Sequence, residues 1–305
     1  MIKRTIEVSS EPSHLTARLE QLLVMRDGQT VGSIPCEDIG VVVVDQPQTT
    51  YTHAALSTLA QSDAVLVVCG RDHLPVGVLL PLSDHTQVVW RINEQIRISR
   101  PLRKRLWKQL IREKIRAQAL MLPEDCPARK KLLDMARGVR SGDPSNVEAH
   151  AAKVYWANWL PEGTFRRDSD LPGINALLNY GYAILRAAMA RALVAAGLQP
   201  ALGLCHANRS NAFCLADDMM EPLRPLVDDR ARDLHLEGHH ELTRPAKVRL
   251  LELLAAPVRL GHERGPLMVN LHRMVASLVR CFQGEGDRLE IPRALVPKKN
   301  VPEDF

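Results

Sequence analysis

Residues 198–228, LQPALGLCHANRSNAFCLADDMMEPLRPLVD, carry the polar side chains around which the interpretation of the whole chain is built. The stretch places His206 in a predicted loop and then opens an acidic helix. On that helix Asp218 and Glu221 are three residues apart, so they are expected to share a face. An imidazole followed by two carboxylates suits a hard divalent cation that takes most of its ligands from oxygen. Because a loop histidine and two surface acids are more often unrelated, this stretch alone only suggests a metal site.

A second stretch, residues 141–159 (SGDPSNVEAHAAKVYWANW), adds a further acid to the candidate site. Asp143 is a favourable N-cap and Pro144 fits the first helical position, which places Glu148 just past the first turn. Ser145 and Glu148 also match the S-x-x-E capping box, in which the glutamate caps its own helix. The pattern leaves both interpretations of Glu148 open.

Three motifs in these stretches resemble one known family. They are E-A-x-A-A-x-x-Y-W beginning at Glu148, G-L-x-H ending at His206, and L-A-x-D-x-M-E-P-x-R-P-x-V-D through Glu221. Together they are similar to the CRISPR-associated integrases of spacer acquisition, the "Cas-one" proteins, and above all to the type II form. The resemblance implies that Glu148, His206 and Glu221 bind a catalytic divalent metal. It also implies that Asp218 matches an accessory acid found in other branches, some of which carry Asp where this chain has Glu221.

The resemblance further implies an activity and partners. The expected reaction is the insertion of short duplex DNA fragments into a CRISPR array by two staggered transesterifications, in which DNA 3′-hydroxyls are the nucleophiles. Two active sites at a fixed distance are then needed, so we expect a homodimer and a small "Cas-two" protein bridging two dimers, with further type II CRISPR proteins as additional partners. Neighbouring carboxylates favour Mg²⁺ or Mn²⁺ over softer ions.

Bulk properties are consistent with a globular protein that binds a polyanion. The chain has 305 residues, 46% of them hydrophobic, and a net charge of +5. Its isoelectric point is near 9.0, which is compatible with a DNA partner. Apolar runs of membrane-spanning length are missing from the sequence, and the N-terminus is not typical of a signal peptide. We therefore expect a cytoplasmic protein with no membrane association.

The six cysteines show no C-x-x-C pair, and most lie in apolar segments. They are interpreted as reduced core thiols, as in a cytoplasmic protein. Cys205, His206 and Cys214 could suggest zinc, but the missing fourth ligand argues against such a site.

The predicted fold class is α+β, with a small β-rich domain followed by a larger all-α domain. Residues 1–88 contain β-branched or apolar runs of strand length at 5–8, 21–25, 41–44, 64–68 and 76–80, with one helix at 52–61. Turn signals such as Asp27-Gly28 separate these runs. Residues 174–196 are expected to form a long, mostly apolar helix. The resemblance implies that residues 1–88 form an N-terminal dimerisation and docking domain. Residues 89–96 are interpreted as a linker, 97–284 as the α-helical catalytic domain, and 285–305 as a flexible tail.

The most basic part of the chain begins the helical region. Between Arg97 and Arg116 many cations face a single acid, Glu113, while leucine, isoleucine and tryptophan follow helical spacing. Most charged stripes are simply solvated faces, but this density of like charge favours phosphate contact. The DNA-contacting residues predicted here and in the later segments are Arg103, Lys104, Lys108, Arg112, Arg166, Arg167 and Arg224. For Arg166 and Arg167 plain surface charge is an equal alternative, and Arg224 could instead orient Glu221 or cap a helix.

Two other functions remain as alternatives. One is a metal-dependent DNase or branched-DNA nuclease without an integrase role. The other is a non-enzymatic DNA-binding scaffold in which Glu148 only caps its helix. Glu148→Ala would then lower the stability of the fold by about 1 kcal/mol and leave DNA processing unchanged. An enzyme of small-molecule metabolism is not favoured, because the sequence has neither a Gly-rich phosphate loop nor a nucleophile motif.

Overall fold

Two four-stranded sheets form the N-terminal part of the chain in the computed structural model, which describes residues 3–82, 85–161, 163 and 165–295. One sheet has the order β1-β5-β7-β8 and the other β4-β3-β2-β6. The strands are β1 (Arg4–Val8), β2 (His14–Arg18), β3 (Gln21–Arg26), β4 (Gln29–Pro35), β5 (Ile39–Val44), β6 (Thr50–Tyr51), β7 (Val65–Cys69) and β8 (Pro75–Leu79), with helix α1 (His53–Gln61) between β6 and β7.

Strand β5 is buried on both faces. Its neighbours β1 and β7 run parallel to it, and all six of its residues are buried. Val42 and Val44 point into the core of the N-terminal part, whereas Val41 and Val43 belong to the core of the helical part. A continuous valine run is typical of such a doubly covered strand.

The β3–β4 hairpin turns at Asp27-Gly28, as the sequence predicts. Both residues have positive φ, 47° and 75°, the combination that a two-residue hairpin turn needs. The strands β2, β4 and β6 were not predicted from the sequence. All 7 residues of β4 are exposed or half-buried, and its sequence lacks the apolar alternation that marks a strand.

Helices dominate the rest of the chain and surround one central helix. They are α2 (Val88–Arg97), α3 (Arg100–Leu120), α4 (Pro127–Gly138), α5 (Val147–Ala157), α6 (Ile174–Ala195), α7 (Cys214–Met220), α8 (Arg224–Leu236), α9 (Arg244–Leu251) and α10 (Leu267–Gln283). Helix α6 is mostly buried and contacts α7 to α10 as well as β5, β7 and β8. The predicted α+β class, with a β-rich N-terminal region and a mostly helical remainder, is confirmed.

The predicted linker at 89–96 is wrong, because these residues form most of α2. The side chain of Gln95 is buried and binds the loop that precedes His206. Its amide donates to the carbonyls of Gln199 and Leu202, both at 2.9 Å, and accepts from the amide N–H of Gln199 at 3.0 Å. The helix is therefore packed against the candidate site region.

The helical part also contains a small sheet, so it is not all-α. Strands β9 (Pro257–Leu260) and β10 (Glu263–Pro266) form a hairpin, and β11 (Arg293–Ala294) pairs with β9. The predicted flexible tail is wrong for residues 285–295. Leu289 is buried there, and its amide donates to the side chain of Gln109 at 2.9 Å. The remainder of that predicted tail, 296–305, lies outside the described residues.

Two ion pairs connect the two parts of the chain. Lys247 on α9 contacts Asp45, just after β5, and both side chains are nearly inaccessible to solvent. Arg191 on α6, itself buried, pairs at 2.7 Å with the more exposed Asp63. These contacts and the shared core join the sheet that contains β5 and β7 to the helical part. Within the described ranges, no helix combines the length and apolar character that a membrane span requires.

Candidate active site

Two of the predicted site residues, Glu148 and Glu221, converge on one lysine. The ammonium nitrogen of Lys114 lies 2.6 Å from Oε1 of Glu148 and 2.5 Å from Oε2 of Glu221. Lys114 comes from α3, Glu148 from α5, and Glu221 from the 3₁₀ turn Glu221–Leu223, and α3 packs against both of the other elements. Burial opposes the charge of Lys114, but the two carboxylates outweigh it and raise the lysine's pKa.

The capping-box interpretation of Glu148 is wrong. The start of α5 is capped by Asp143, whose Oδ1 and Oδ2 accept the N–H groups of Val147 and Glu148 at 2.9 and 3.0 Å. The hydroxyl of Ser145 accepts from Arg140 at 2.9 Å. The carboxylate of Glu148 is therefore directed to Lys114 and not to its own helix end.

Glu221 is held as an ionised carboxylate in a buried position. Its Oε1 accepts from Nε of Arg224 at 2.8 Å, while Oε2 faces Lys114. Burial works against ionisation, yet Arg224 and Lys114 together hold the pKa of Glu221 at about 2. The guanidinium of Arg224 also lies 4.7 Å from the ring centroid of Tyr182. Arg224, predicted to contact DNA, is thus half-buried and placed against Glu221.

His206 is oriented by Asp218. Asp218 is fully buried, and its carboxylate accepts the N–H groups of Leu204, Cys205 and His206 at 2.6, 2.8 and 3.3 Å. It also bonds Nδ1 of His206, and this hydrogen bond raises the pKa of the imidazole, against the effect of burial. The ring of Trp107 packs edge-on against the His206 ring, with 5.5 Å between the ring centroids. Asp218 therefore acts on the histidine loop and does not face the cation position beside Glu221.

The tight turn before His206 requires glycine, so we expect Gly203→Ala to disturb the site. An added Cβ would collide with the carbonyl oxygen of His206 and lie 2.9 Å from Oδ2 of Asp218. The expected cost in the free energy of unfolding is about 1–3 kcal/mol. DNA cleavage or joining should fall about ten-fold, because small displacements of reacting groups are costly. Urea denaturation and single-turnover assays measure both, and unchanged activity would contradict the predicted role of this loop.

One observation supports the fit of these side chains to a divalent cation. Two carboxylate oxygens already converge on a single positively charged atom, and the bond between Nδ1 of His206 and Asp218 leaves Nε2 available as a ligand. Among the residues that the structure describes, however, no three His, Cys, Asp or Glu side chains are grouped as a metal site. Lys114 occupies the position between the carboxylates that a metal would need.

A family model described as "CRISPR associated protein Cas1" matches residues 6–239. The chain belongs to this Cas1 family.

A relative agrees with the assignment to Cas1, and two solved structures share the fold. The "CRISPR-associated endonuclease Cas1" of Neisseria meningitidis is 38% identical over 290 residues, covering 93% of this chain and 94% of the relative. The fold is similar to that of a "Casposase bound to integration product", with a TM-score of 0.78, 17% identity, and coverage of 99% of this chain and 95% of that one. It is also similar to a chain of a "Cas6-RT-Cas1--Cas2 complex", with a TM-score of 0.76, 18% identity, and coverage of 96% and 36%.

The basic helix α3 of this Cas1-family chain is two-sided. Trp107 and Lys114, seven residues apart, lie on the side facing the carboxylates. Lys108 and Arg112 lie on another side, where they line a cavity of about 260 Å³ together with Arg116, Arg137, Arg288 and Arg293. Two of the predicted DNA-contacting residues on α3, Lys108 and Arg112, therefore lie away from the side that faces the carboxylates.

The other predicted DNA contacts differ in their surroundings. Lys104 is exposed, and its carbonyl accepts from Gly142, in the loop that leads to α5. The guanidinium of Arg103 donates to the carbonyl of Ile96 at 3.3 Å. Arg166 is exposed, whereas Arg167 donates to the side chains of Asn175 and Asn179 at 3.0 and 2.6 Å. Arg167 thus connects its loop to α6 through these hydrogen bonds, so Arg167 has a structural role in this conformation.

Sequence reasoning did not identify Lys114 or Asp228 as parts of the Cas1 site region. Lys114 was counted with the basic stretch, although it falls on the apolar stripe of α3 beside Leu110 and Ile111. A cation on a buried stripe indicates a buried acidic partner. Asp228 is buried and accepts a hydrogen bond from Tyr182, the ring under Arg224.

We expect Asp228 to make stability depend on pH. Burial raises its pKa to about 7 from an ordinary value of 3.8, although Tyr182 and Tyr155 work in the opposite direction. Because the folded pKa is the higher one, the protonated carboxyl stabilises the fold in full below about pH 4, and this contribution is lost as the pH rises to about 7. The slope is at most about 1.4 kcal/mol per pH unit. Urea denaturation across this range should show a steeper decline for the wild type than for Asp228→Asn, and parallel curves would contradict the expectation.

Proposed function

We propose that this Cas1-family chain is a metal-dependent DNA integrase of CRISPR adaptation. The observation that carries the proposal is the convergence of Glu148 and Glu221 on one cation position. The ring of His206, the third proposed ligand, is oriented by Asp218. The Neisseria relative is called an endonuclease, and the casposase of similar fold is bound to an integration product. Both names concern chemistry at DNA phosphodiesters, which the proposal extends to this chain.

Glu148, Glu221 and Nε2 of His206 would hold Mg²⁺ or Mn²⁺. When bound, such an ion lowers the pKa of the attacking hydroxyl and stabilises the negative charge that develops on the phosphoryl oxygens. The protein's own contribution is to keep these ligands aligned. Arg224 fixes the direction of Glu221 through Nε, and Asp218 fixes the His206 ring and its tautomer.

The proposed reaction is a transesterification. The 3′-hydroxyl oxygen of the incoming fragment forms a bond to a target phosphorus, and the bond from that phosphorus to the target's own 3′ oxygen breaks. The proton of the attacking hydroxyl is lost, and the departing 3′ oxygen gains one. No separate energy source is needed, because one phosphodiester replaces another.

DNA would be held by the exposed cations around the site. Lys104 and Arg166 are exposed there, whereas Arg167 and Arg224 are engaged by protein groups. The cavity lined by Lys108 and Arg112 gives a second cationic surface for the phosphate backbone. We also propose a homodimer and a Cas2-type partner, which would set two sites at a fixed distance; a chain of similar fold occurs in a complex containing Cas2.

A nuclease without an integrase role is the second candidate, because the same site could activate water. The name of the Neisseria relative favours it. The non-enzymatic scaffold is disfavoured, since it needs Glu148 as a helix cap, whereas Asp143 performs that role.

A strand-transfer assay tests the proposal. The purified chain and its small partner protein are mixed with Mn²⁺ or Mg²⁺, a duplex fragment labelled near its 3′-hydroxyls and a supercoiled plasmid carrying a repeat. We expect label in relaxed plasmid, and we expect it to disappear with EDTA or with His206→Ala. Nicked plasmid without label would favour the nuclease. No metal-dependent reaction of either kind would contradict both enzymatic functions.

A further inference from the structure

We propose that Lys114 is an internal counter-ion that holds Glu148 and Glu221 in position and that a divalent cation must displace. The proposal rests on the proposed metal dependence and adds a residue that the three family motifs do not contain. Lys114 would act through the two carboxylates, so it is a positioning residue and not a ligand.

The contacts of Lys114 leave room for one cation only. Its nitrogen is within 2.6 Å of an oxygen from each glutamate, whereas Mg²⁺ needs oxygen atoms at about 2.0–2.1 Å. An ion bound by the same two oxygens would lie too close to the ammonium nitrogen for both cations to be present. Metal binding and the two ion pairs of Lys114 are therefore mutually exclusive.

Lys114 also has a function when no metal is bound. Its side chain is 12% exposed and that of Glu221 is 7% exposed, so the charges are poorly screened by water. Without the ammonium, two carboxylates would face each other in a weakly polar environment and repel each other. Lys114 thus keeps the pair close together before the metal arrives.

The two glutamates should respond differently when Lys114 is displaced. Glu221 retains its ion pair with Arg224 at 2.8 Å, so its carboxylate stays in place. Glu148 forms an ion pair with Lys114, and its side chain is more exposed, at 24%. Glu148 is therefore the ligand that must be repositioned around the metal, while Glu221 provides the fixed point.

Metal affinity measured without DNA tests the proposal. Full-length wild type and Lys114→Met are stripped with EDTA and titrated with Mn²⁺, and free Mn²⁺ is followed by electron paramagnetic resonance. We expect Lys114→Met to bind Mn²⁺ at least about ten-fold more tightly, since a competing positive charge has been removed. Lys108→Met, which removes the same charge from another side of α3, is the matched control and should change the affinity less than two-fold or so.

A merely structural lysine would not raise metal affinity when removed. Unchanged or weaker Mn²⁺ binding by Lys114→Met, with a wild type that binds, would overturn the proposal and leave the metal site intact. A wild type that binds no Mn²⁺ would instead overturn the metal dependence itself. If Lys114→Met does not fold, Lys114→Gln removes the charge but keeps a hydrogen-bond donor, and the same comparison decides.

Discussion

Glu148→Gln is expected to lower the rate of DNA strand transfer by about 10²- to 10³-fold, the usual effect of losing one charge-stabilising group. The amide keeps the shape of the side chain but removes the negative charge that would hold the metal. The fold should survive, because Lys114 still pairs with Glu221, and Asp143 still caps α5. Single-turnover strand transfer, with thermal unfolding measured in parallel, checks both parts of this expectation.

Glu263→Gln is the matched control for that experiment, since Glu263 on the β9–β10 hairpin forms an exposed ion pair with Arg273 of α10. It should leave the rate unchanged. Glu221→Gln should be less informative, because it also leaves the half-buried Arg224 facing a neutral group and so destabilises the fold. A Glu148→Gln rate within a few-fold of wild type would remove Glu148 from the proposed metal site.

Lys247→Met is expected to lower the free energy of unfolding by about 3–5 kcal/mol, the usual cost of leaving one partner of a buried ion pair alone. Lys247 and Asp45 have side-chain exposures of only 5% and 2%. His73, whose Nδ1 lies 3.0 Å from Asp45, is 54% exposed and can replace only part of the lost charge. Urea denaturation with a linear extrapolation measures the effect.

Two variants separate this effect from a general response to substitution. Arg249→Met breaks an exposed pair with Glu237 and should cost less than about 1 kcal/mol. The double variant Asp45→Asn with Lys247→Met removes both charges and should recover much of the loss. A Lys247→Met cost below that of Arg249→Met would mean that the two parts of the chain are not joined through this pair.

Local sequence patterns predicted those elements whose apolar residues follow the spacing of their buried faces. The valines of β5 and the apolar spacing of α6 are visible without a structure, and both elements formed as expected. Strand β4 is half-exposed, and α2 lies where a change of composition suggested a linker. Their structure depends on partners distant in sequence, such as the carbonyls of Gln199 and Leu202 that hold Gln95.

The candidate site residues could be named from the sequence, but their arrangement could not. The motifs pointed to Glu148, His206 and Glu221, and the structure brings the two glutamates together. Their common neighbour Lys114 is 34 residues from Glu148 in sequence, and only the packing of α3 against α5 reveals the contact. Asp218 and Glu221 were expected on one face, yet a 3₁₀ turn begins at Glu221 and directs the two acids differently.

The double burial of β5 has a consequence for synthesis of the chain on the ribosome. The side chains of Val41 and Val43, like those of Val65 and Val67 on β7, are covered by a core to which α6 contributes. Because α6 begins only at Ile174, an apolar face of the N-terminal part stays uncovered until that helix has been synthesised. During that interval the nascent polypeptide presents a surface suited to chaperone capture or to association between neighbouring nascent chains.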